Sequence, residues 1–181
     1  MSSNHPLTYP DPMPHNFAPA AAGEPVAFGA CAPGRLSNAP DPQAKWIEFM
    51  LDQGTERVLC LLSEDQLALR PGLLEAYRER FPGDVGHVPM TDHHLPTHGE
   101  VAEALSFLEA GEAEGSPTVV HCLAGIGRTG VTLAGWLVRA RGYDPRAAVT
   151  TVEDHRRHPR ESVERGNSTE EALLDLLASV G

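Results

Sequence analysis

Apolar residues along this chain fall into short continuous runs separated by longer stretches of helical spacing. Arg57 to Leu62 reads as a strand buried on both faces, and Thr118 to Val120, bounded by Pro117, reads as another. Pro25 to Phe28 predicts a first strand, ended by Gly29, and Val85 to Met90 a further one. Between them, Trp46, Ile47, Phe49, Met50 and Leu51 mark one face of a helix opened by Asp41-Pro42 and stopped by Gly54. Leu67, Leu69, Leu73, Leu74 and Tyr77 belong to short helices broken at Pro71. Thr97 to Glu100 is a capping box for a helix from Val101 to about Ala113. Val131 to Arg141 predicts a helix capped by Gly142, and Asp144-Pro145 starts one running to about Arg157. Ser168 to Glu171 is read as a second capping box, for a last helix through Leu173, Leu174, Leu176 and Leu177. Strands alternating with helices predict an α/β fold, a central and mostly parallel sheet flanked by helices on both faces.

Residues 1–24, crowded with Pro, Ala, Asn and His, show no period and are expected to form a flexible or extended leader, partly laid against the domain but not a unit of its own, with residues 25–181 as one domain. A chain of 181 residues can bury a sizeable core. Its formal net charge of −11 argues against binding nucleic acid or anionic membrane through a bulk field. Three cysteines without metal-ligand spacing fit a reducing compartment. The start of the chain has no basic and apolar signal, and no apolar run approaches membrane-spanning length, so the expectation is a cytoplasmic protein without a membrane span. Oligomeric state is open.

The chemistry concentrates in Val120 to Gly130, which reads VHCLAGIGRTG. Five residues, two of them Gly, separate Cys122 from Arg128, so the backbone can curl and aim successive N–H groups into one hollow. An anion suits that hollow. The following helix adds the positive end of its dipole, and Arg128 offers a planar fork matched to two oxygens of a phosphate. The same field favours a thiolate at Cys122. A bare C-x5-R pattern is equally the mark of a buried structural thiol; the preceding strand, both glycines, Thr129 and Gly130 weigh against that.

The pattern H-C-x5-R-[ST] resembles that of the cysteine-dependent protein phosphatases, and HCLAGIGRTG is similar to the loop of their compact dual-specificity and atypical members. Rhodanese loops usually lack this Arg-Thr-Gly exit. The resemblance implies the cysteine-phosphatase fold, with Cys122 as nucleophile and Arg128 as phosphate clamp. The amides of Leu123, Ala124, Gly125, Ile126, Gly127 and Arg128 would be the phosphate cradle, and Thr129 would ease departure of the sulfur. His121 would support the loop through its backbone rather than act as an acid or base.

Cleaving a phosphoester with a thiolate needs a proton donor for the leaving oxygen. Asp92 lies 30 residues before Cys122, just past a predicted strand, and its D-x-x-x-P setting resembles the acid loop of cyclin-dependent-kinase-associated phosphatase and its bacterial relatives. Asp84, in a Pro-Gly turn, is the spare candidate. His87, His93, His94 and His98 invite a metal reading, and Asp92-His93-His94 echoes a metal phosphoesterase motif; the further Asp-containing motifs such enzymes need are not evident, so neither metal nor cofactor is expected. The basic cluster His155, Arg156, Arg157, His158 and Arg160 is read as a solvated face or a substrate-facing one. Relatives often show an Arg-Pro-Gly segment ending in Gln after the signature helix; here the chain reads HRRHPRESVERGN, which leaves open whether Asn167 takes the place of that Gln.

The expectation is therefore a metal-independent phosphomonoesterase working through a cysteinyl phosphate, a protein tyrosine or dual-specificity phosphatase whose partner is a phosphorylated protein or peptide. A phosphate-binding pseudophosphatase and a phosphoinositide phosphatase are the alternatives. The five loop residues carry no cation, which favours phosphotyrosine over polyphosphoinositides.

Overall fold

The computed structural model describes residues 13–36 and 40–181. In chain order its strands are β1 (Ala18–Pro19), β2 (Ala27–Ala30), β3 (Arg57–Cys60), β4 (Val85–His87) and β5 (Thr118–His121). The helices are α1 (Pro42–Asp52), α2 (Glu64–Ala68), α3 (Leu73–Arg80), α4 (His98–Glu114), α5 (Gly127–Arg141), α6 (Pro145–Glu153), α7 (Glu161–Glu164) and α8 (Glu170–Val180). The strands make one sheet in the order β1-β2-β5-β3-β4, parallel except for β1 at the edge.

Side chains of successive strand residues point to opposite faces, and the two cores sort accordingly. Val58, Cys60 and Val119 meet Trp46, Ile47 and Met50 of α1 and Leu73 and Tyr77 of α3. Leu59 and Val120 face the larger core built by α4, α5, α6 and α8. Because the central strands run parallel, the ends of β2, β3, β4 and β5 lie together, in register at Ala30, Cys60, His87 and His121. A ligand crevice belongs at that edge.

Helix starts follow the expected chemistry at Asp41, whose carboxylate accepts from the amide of Ala44, at Asp144, and at the Thr97–Glu100 box. The last helix starts differently. Its cap is Thr169, whose hydroxyl accepts from the Ala172 amide, so the cap read at Ser168 moves by one residue and, with Ala172 three residues on, the expected box does not form. The first strand is likewise later than expected and includes Gly29, and the helix from Pro145 stops at Glu153.

Over the described part of the leader, the boundary expected at residue 25 moves towards the N-terminus. Residues 1–12 lie outside the described residues, but from Met13 onward the segment belongs to the domain. Phe17, Ala18, Ala20 and Ala21 are buried, and the Phe17 ring stacks on Phe28 at 5.3 Å. Glu24 fastens the end of the segment: its buried carboxylate accepts from the amides of Val26 and Ala27, from Trp136 Nε1 and from Arg141. Burial alone would raise its pKa, but these bonds and the charge of Arg141 outweigh it and hold the carboxyl below its ordinary value. Alanine and proline packed by long-range contacts leave no period in the sequence. Among the described residues no helix is long and apolar enough to cross a membrane.

Candidate active site

β5 ends at His121, and the chain from Cys122 to Ile126 curls at the sheet edge before α5 begins at Gly127. Gly125 makes the curl possible. Its φ is +73°, and a Cβ there would stand 2.3 Å from the Ala30 carbonyl oxygen, so no other residue fits without moving backbone.

Each loop carbonyl is held from outside the loop. That of Cys122 accepts from His121 Nδ1 at 2.9 Å, that of Leu123 from the Ala32 amide at 2.9 Å, and that of Ala124 from Asn16 Nδ2 at 3.4 Å. Gly125 O accepts from Arg157 Nη1, and Ile126 O from the amides of Gly130 and His158 at 3.1 and 3.0 Å. In a trans peptide the C=O and the next N–H point in opposite directions. Five carbonyls pinned outward therefore leave the five amides of Leu123 to Gly127 turned the other way, into a common hollow.

That hollow is a cavity of about 530 Å³ lined by Cys122, Leu123, Ala124, Ile126 and Gly127, with Asp92 and His93 on one side. Cys122 is almost fully buried at its floor, and Thr129 Oγ1 donates to its sulfur at 3.2 Å. The other two cysteines are free and buried as well, with Cys31 pushed up to about 11 and Cys60 to about 12 by burial.

His121 is wholly buried and lies at about 4, lowered first by burial and further by the charges of Arg70 and Arg128, so its ring is neutral at pH 7. Since Nδ1 must donate to the Cys122 carbonyl, Nε2 accepts from the Tyr77 hydroxyl at 2.9 Å. The expected supporting role thus has a definite tautomer, anchored on α3.

Arg128 is 3 % exposed. Its Nη1 donates to Gln66 Oε1 at 2.8 Å and to the Met90 carbonyl at 3.1 Å. Nη2 stands 3.0 Å from Asp92 Oδ1, an ion pair too bent to be a hydrogen bond. The Nε and Nη2 edge is therefore buried without a hydrogen-bond acceptor, two parallel donors of the kind a phosphate accepts.

Asp92 is held by Arg128, by Gln66 Nε2 at 3.0 Å and by the His93 amide at 2.9 Å. Asp84, the spare acid, instead lies at the opposite edge of the sheet beside Arg57, 3.8 Å away. The four histidines separate: His87 bonds the Leu62 carbonyl, His94 the Asp92 carbonyl, His98 the Ser179 hydroxyl, and of the four only His93 lines the cavity. The ligand atoms of Asp92, His93 and Glu161 lie within 4.8 Å of one another. Yet Nδ1 of His93 faces Glu161 at 2.8 Å while Nε2 faces Asp92 at 3.4 Å. As it stands, the imidazole bridges the two acids.

The basic cluster does not act as one face. His155 bonds the Thr151 carbonyl, Arg160 pairs with Glu153 and Glu170, and Arg157 is buried; His158 lines the cavity and pairs with Glu164 at 2.8 Å. Asn167 Nδ2 donates to the His93 carbonyl at 2.9 Å, so it reaches the loop that carries Asp92. Gln66, Tyr77, Glu161 and Asn16 were not singled out from the sequence. Only Gln66 had a local signal, in the box Ser63 to Gln66 that opens α2. Arg35 and Arg165 also line the cavity, so cations absent from the loop itself are supplied from outside it.

Among known proteins, the chain is 30 % identical over 95 residues to the dual specificity protein phosphatase Mpk3 of Drosophila melanogaster, which covers 50 % of this chain and 22 % of that one. It is 35 % identical over 75 residues to the dual specificity protein phosphatase TpbA of Pseudomonas aeruginosa, covering 38 % of this chain and 34 % of that one. The chain thus spans about a third or less of the length of these curated relatives. The crystal structure of Tk-PTP in its active form superposes with a TM-score of 0.68 at 21 % identity, covering 93 % of this chain and 97 % of that one, which establishes the fold. Residues 33–142 match a family described as Tc-R-P, and with more than half of its length inside that match the chain belongs to the DSP-PTPase phosphatases of polymorphic toxin systems.

Proposed function

We propose that the chain hydrolyses phosphomonoesters of protein side chains, as a tyrosine or dual-specificity phosphatase, through a cysteinyl-phosphate intermediate. The observation that carries this reading is the buried Arg128 edge without an acceptor, in the same turn of loop and helix as a Cys122 sulfur that receives the Thr129 hydroxyl at 3.2 Å. The Cys122 thiolate attacks phosphorus while Arg128 and the five loop amides hold the equatorial oxygens. Protonated Asp92 gives its proton to the departing oxygen. The resulting carboxylate then takes a proton from the water that attacks the cysteinyl phosphate, with Thr129 stabilising the sulfur as it leaves. The buried, unpaired thiols suit a reducing cytoplasm.

Cys122→Ser tests the mechanism. Turnover of an aryl phosphate is lost, binding of phosphate analogues is retained, and the parent is inhibited by vanadate and peroxide but not by chelators. Activity lost to EDTA and regained with a divalent ion would overturn it. For the substrate, a cation-free loop favours phosphotyrosine peptides, whereas Arg35 and Arg165 at the rim favour a more highly charged phosphoester. Comparing kcat/KM for matched phosphotyrosine, phosphothreonine and phosphoinositide substrates decides between them, and a clear phosphoinositide preference sinks the phosphotyrosine reading.

A further inference from the structure

Three arginines are buried: Arg57, Arg128 and Arg157. The first two face carboxylates, Asp84 at 3.8 Å and Asp92 at 3.0 Å. Among the described residues Arg157 has no carboxylate partner. Its donors go to three backbone carbonyls in three directions: Nη1 to Gly125, Nη2 to Asn16, and Nε to His155 at 3.1 Å. A buried cation without a counter-charge is costly, and one that persists is held there by its surroundings.

Those surroundings are cut to fit it. A Cβ on Gly29 of β2 would stand 2.9 Å from Arg157 Nη1, and a Cβ on Gly130 of α5 would stand 3.2 Å from Arg157 Cβ. Two glycines in regular elements, where glycine costs stability, leave room for this side chain. Burial lowers Arg157 to about 10, still charged at pH 7, and the nearby negative charge that would favour it there is a Cys122 thiolate, since Cys31, pushed up to about 11, is a neutral thiol.

Arg157 also reaches the loop twice. It takes the Gly125 carbonyl directly, and it takes the carbonyl of Asn16, whose own side chain holds the Ala124 carbonyl. Asn16 follows His15, and both have positive φ, +53° and +58°, a left-handed bend that Asn and His enter more readily than other non-glycine residues. Arg157 does not line the cavity, and the Gly125 carbonyl that it takes points away from the hollow, so the clamp lies behind the loop.

We propose that Arg157 is a positioning residue for the Cys122 loop: its guanidinium pins the carbonyls of Gly125 and Asn16 behind the loop, so that the Gly125 and Ile126 amides face the anion. It also places a fixed positive charge on the far side of Cys122. This rests on the phosphatase reading of the same loop. A lysine keeps the charge but cannot send three planar donors to three carbonyls, which separates the two contributions.

The test compares Arg157→Met and Arg157→Lys with the parent in the full chain, reading vanadate affinity by calorimetry and the iodoacetamide alkylation rate of Cys122 at pH 6. Arg157→Met loses about tenfold or more in vanadate affinity and alkylates more slowly, through loss of aligned donors and of a nearby cation. Arg157→Lys also loses vanadate affinity but keeps most of the alkylation rate. Parent-like vanadate affinity in a folded Arg157→Met overturns the proposal. Should that variant fail to fold, Arg157→Lys decides: parent-like affinity overturns it and a tenfold loss upholds it. If the parent itself binds no vanadate, the phosphatase reading fails. The alkylation rates then still judge the clamp, a folded Arg157→Met that alkylates at the parent rate overturning it.

Discussion

The two loops that meet at the cavity are held by opposite means. The Cys122 loop is fixed by backbone: five carbonyls tied outward, a glycine that no side chain can replace, and buried donors from His121 and Arg157. The Asp92 loop is fixed by side chains: Arg128 and Gln66 on the acid itself, then His93 to Glu161 and Asn167 to the His93 carbonyl, most of them partly exposed. An anion cradle must not rearrange when charge arrives, because reorientation would cancel much of the stabilisation. A proton carrier has to meet leaving groups of different shape, and ties through solvent-accessible side chains give at small cost.

The largest effect is expected where the rigid loop is broken. In Gly125→Ala the new methyl meets the Ala30 carbonyl at 2.3 Å in a left-handed conformation, so the loop moves and its amides lose their common focus. Aryl phosphatase activity should fall about 10³-fold or more, with vanadate affinity falling alongside. Parent-like vanadate binding in this variant would mean that the amides do not form the cradle.

Next is the acid. Asp92→Asn should slow turnover of a phenyl-type phosphate by about 10²- to 10⁴-fold and that of a substrate with a very acidic leaving group by less. Because Asp92 sits 3.0 Å from Arg128, removing its charge should leave vanadate affinity equal or higher. A matching loss of affinity and turnover would make Asp92 a structural partner of Arg128. Wild-type kinetics at all pH values would place the acid elsewhere.

The same contrast explains what the sequence made legible. Cys122, Arg128 and Thr129 lie within eight residues along one turn of loop and helix, so spacing alone brings them together. Asp92 was legible because parallel strands deliver their ends to one edge. What holds these residues was not. Tyr77 reaches His121, Arg157 reaches Asn16 and Asn167 reaches the acid loop across 44, 141 and 74 residues, with no local period to mark the contact. The segment from Met13 was hidden for the same reason: its burial comes from pairing with β2 and from Glu24 on Arg141, and its Ala and Pro residues resemble those of a linker.

A third prediction sharpens the rigid side through pH. His121 titrates near 4 in the fold and near 6.5 when unfolded. Between those values the unfolded chain binds the extra proton, so stability rises with pH. The contribution, about 3 kcal/mol, is complete above pH 6.5 and is lost as pH falls towards 4. Denaturant midpoints should fall over that window, and His121→Asn, though less stable at pH 7, should flatten the slope. An unchanged slope in that variant would assign the acid sensitivity to other groups.

The smallest effect belongs to the far tie of the acid loop. Glu161 accepts from His93 Nδ1 at 2.8 Å and also lies 3.3 Å from Arg165, and the His93 side chain is 42 % exposed. Pairs so open to solvent are worth about 0.2 to 1 kcal/mol, so Glu161→Gln, which keeps the shape and one oxygen, should lower kcat only about two- to fivefold. Vanadate affinity should not fall, since the substitution removes a negative charge from the cavity wall. Salt discriminates the cause. If the tie is electrostatic, raising ionic strength should bring the parent down towards the variant, because the charges that hold His93 are screened over about 10 Å at 0.1 M. A loss above a hundredfold, or a gap that salt does not narrow, would show that the acid loop is as tightly determined as the loop of Cys122, and the contrast between the two would fail.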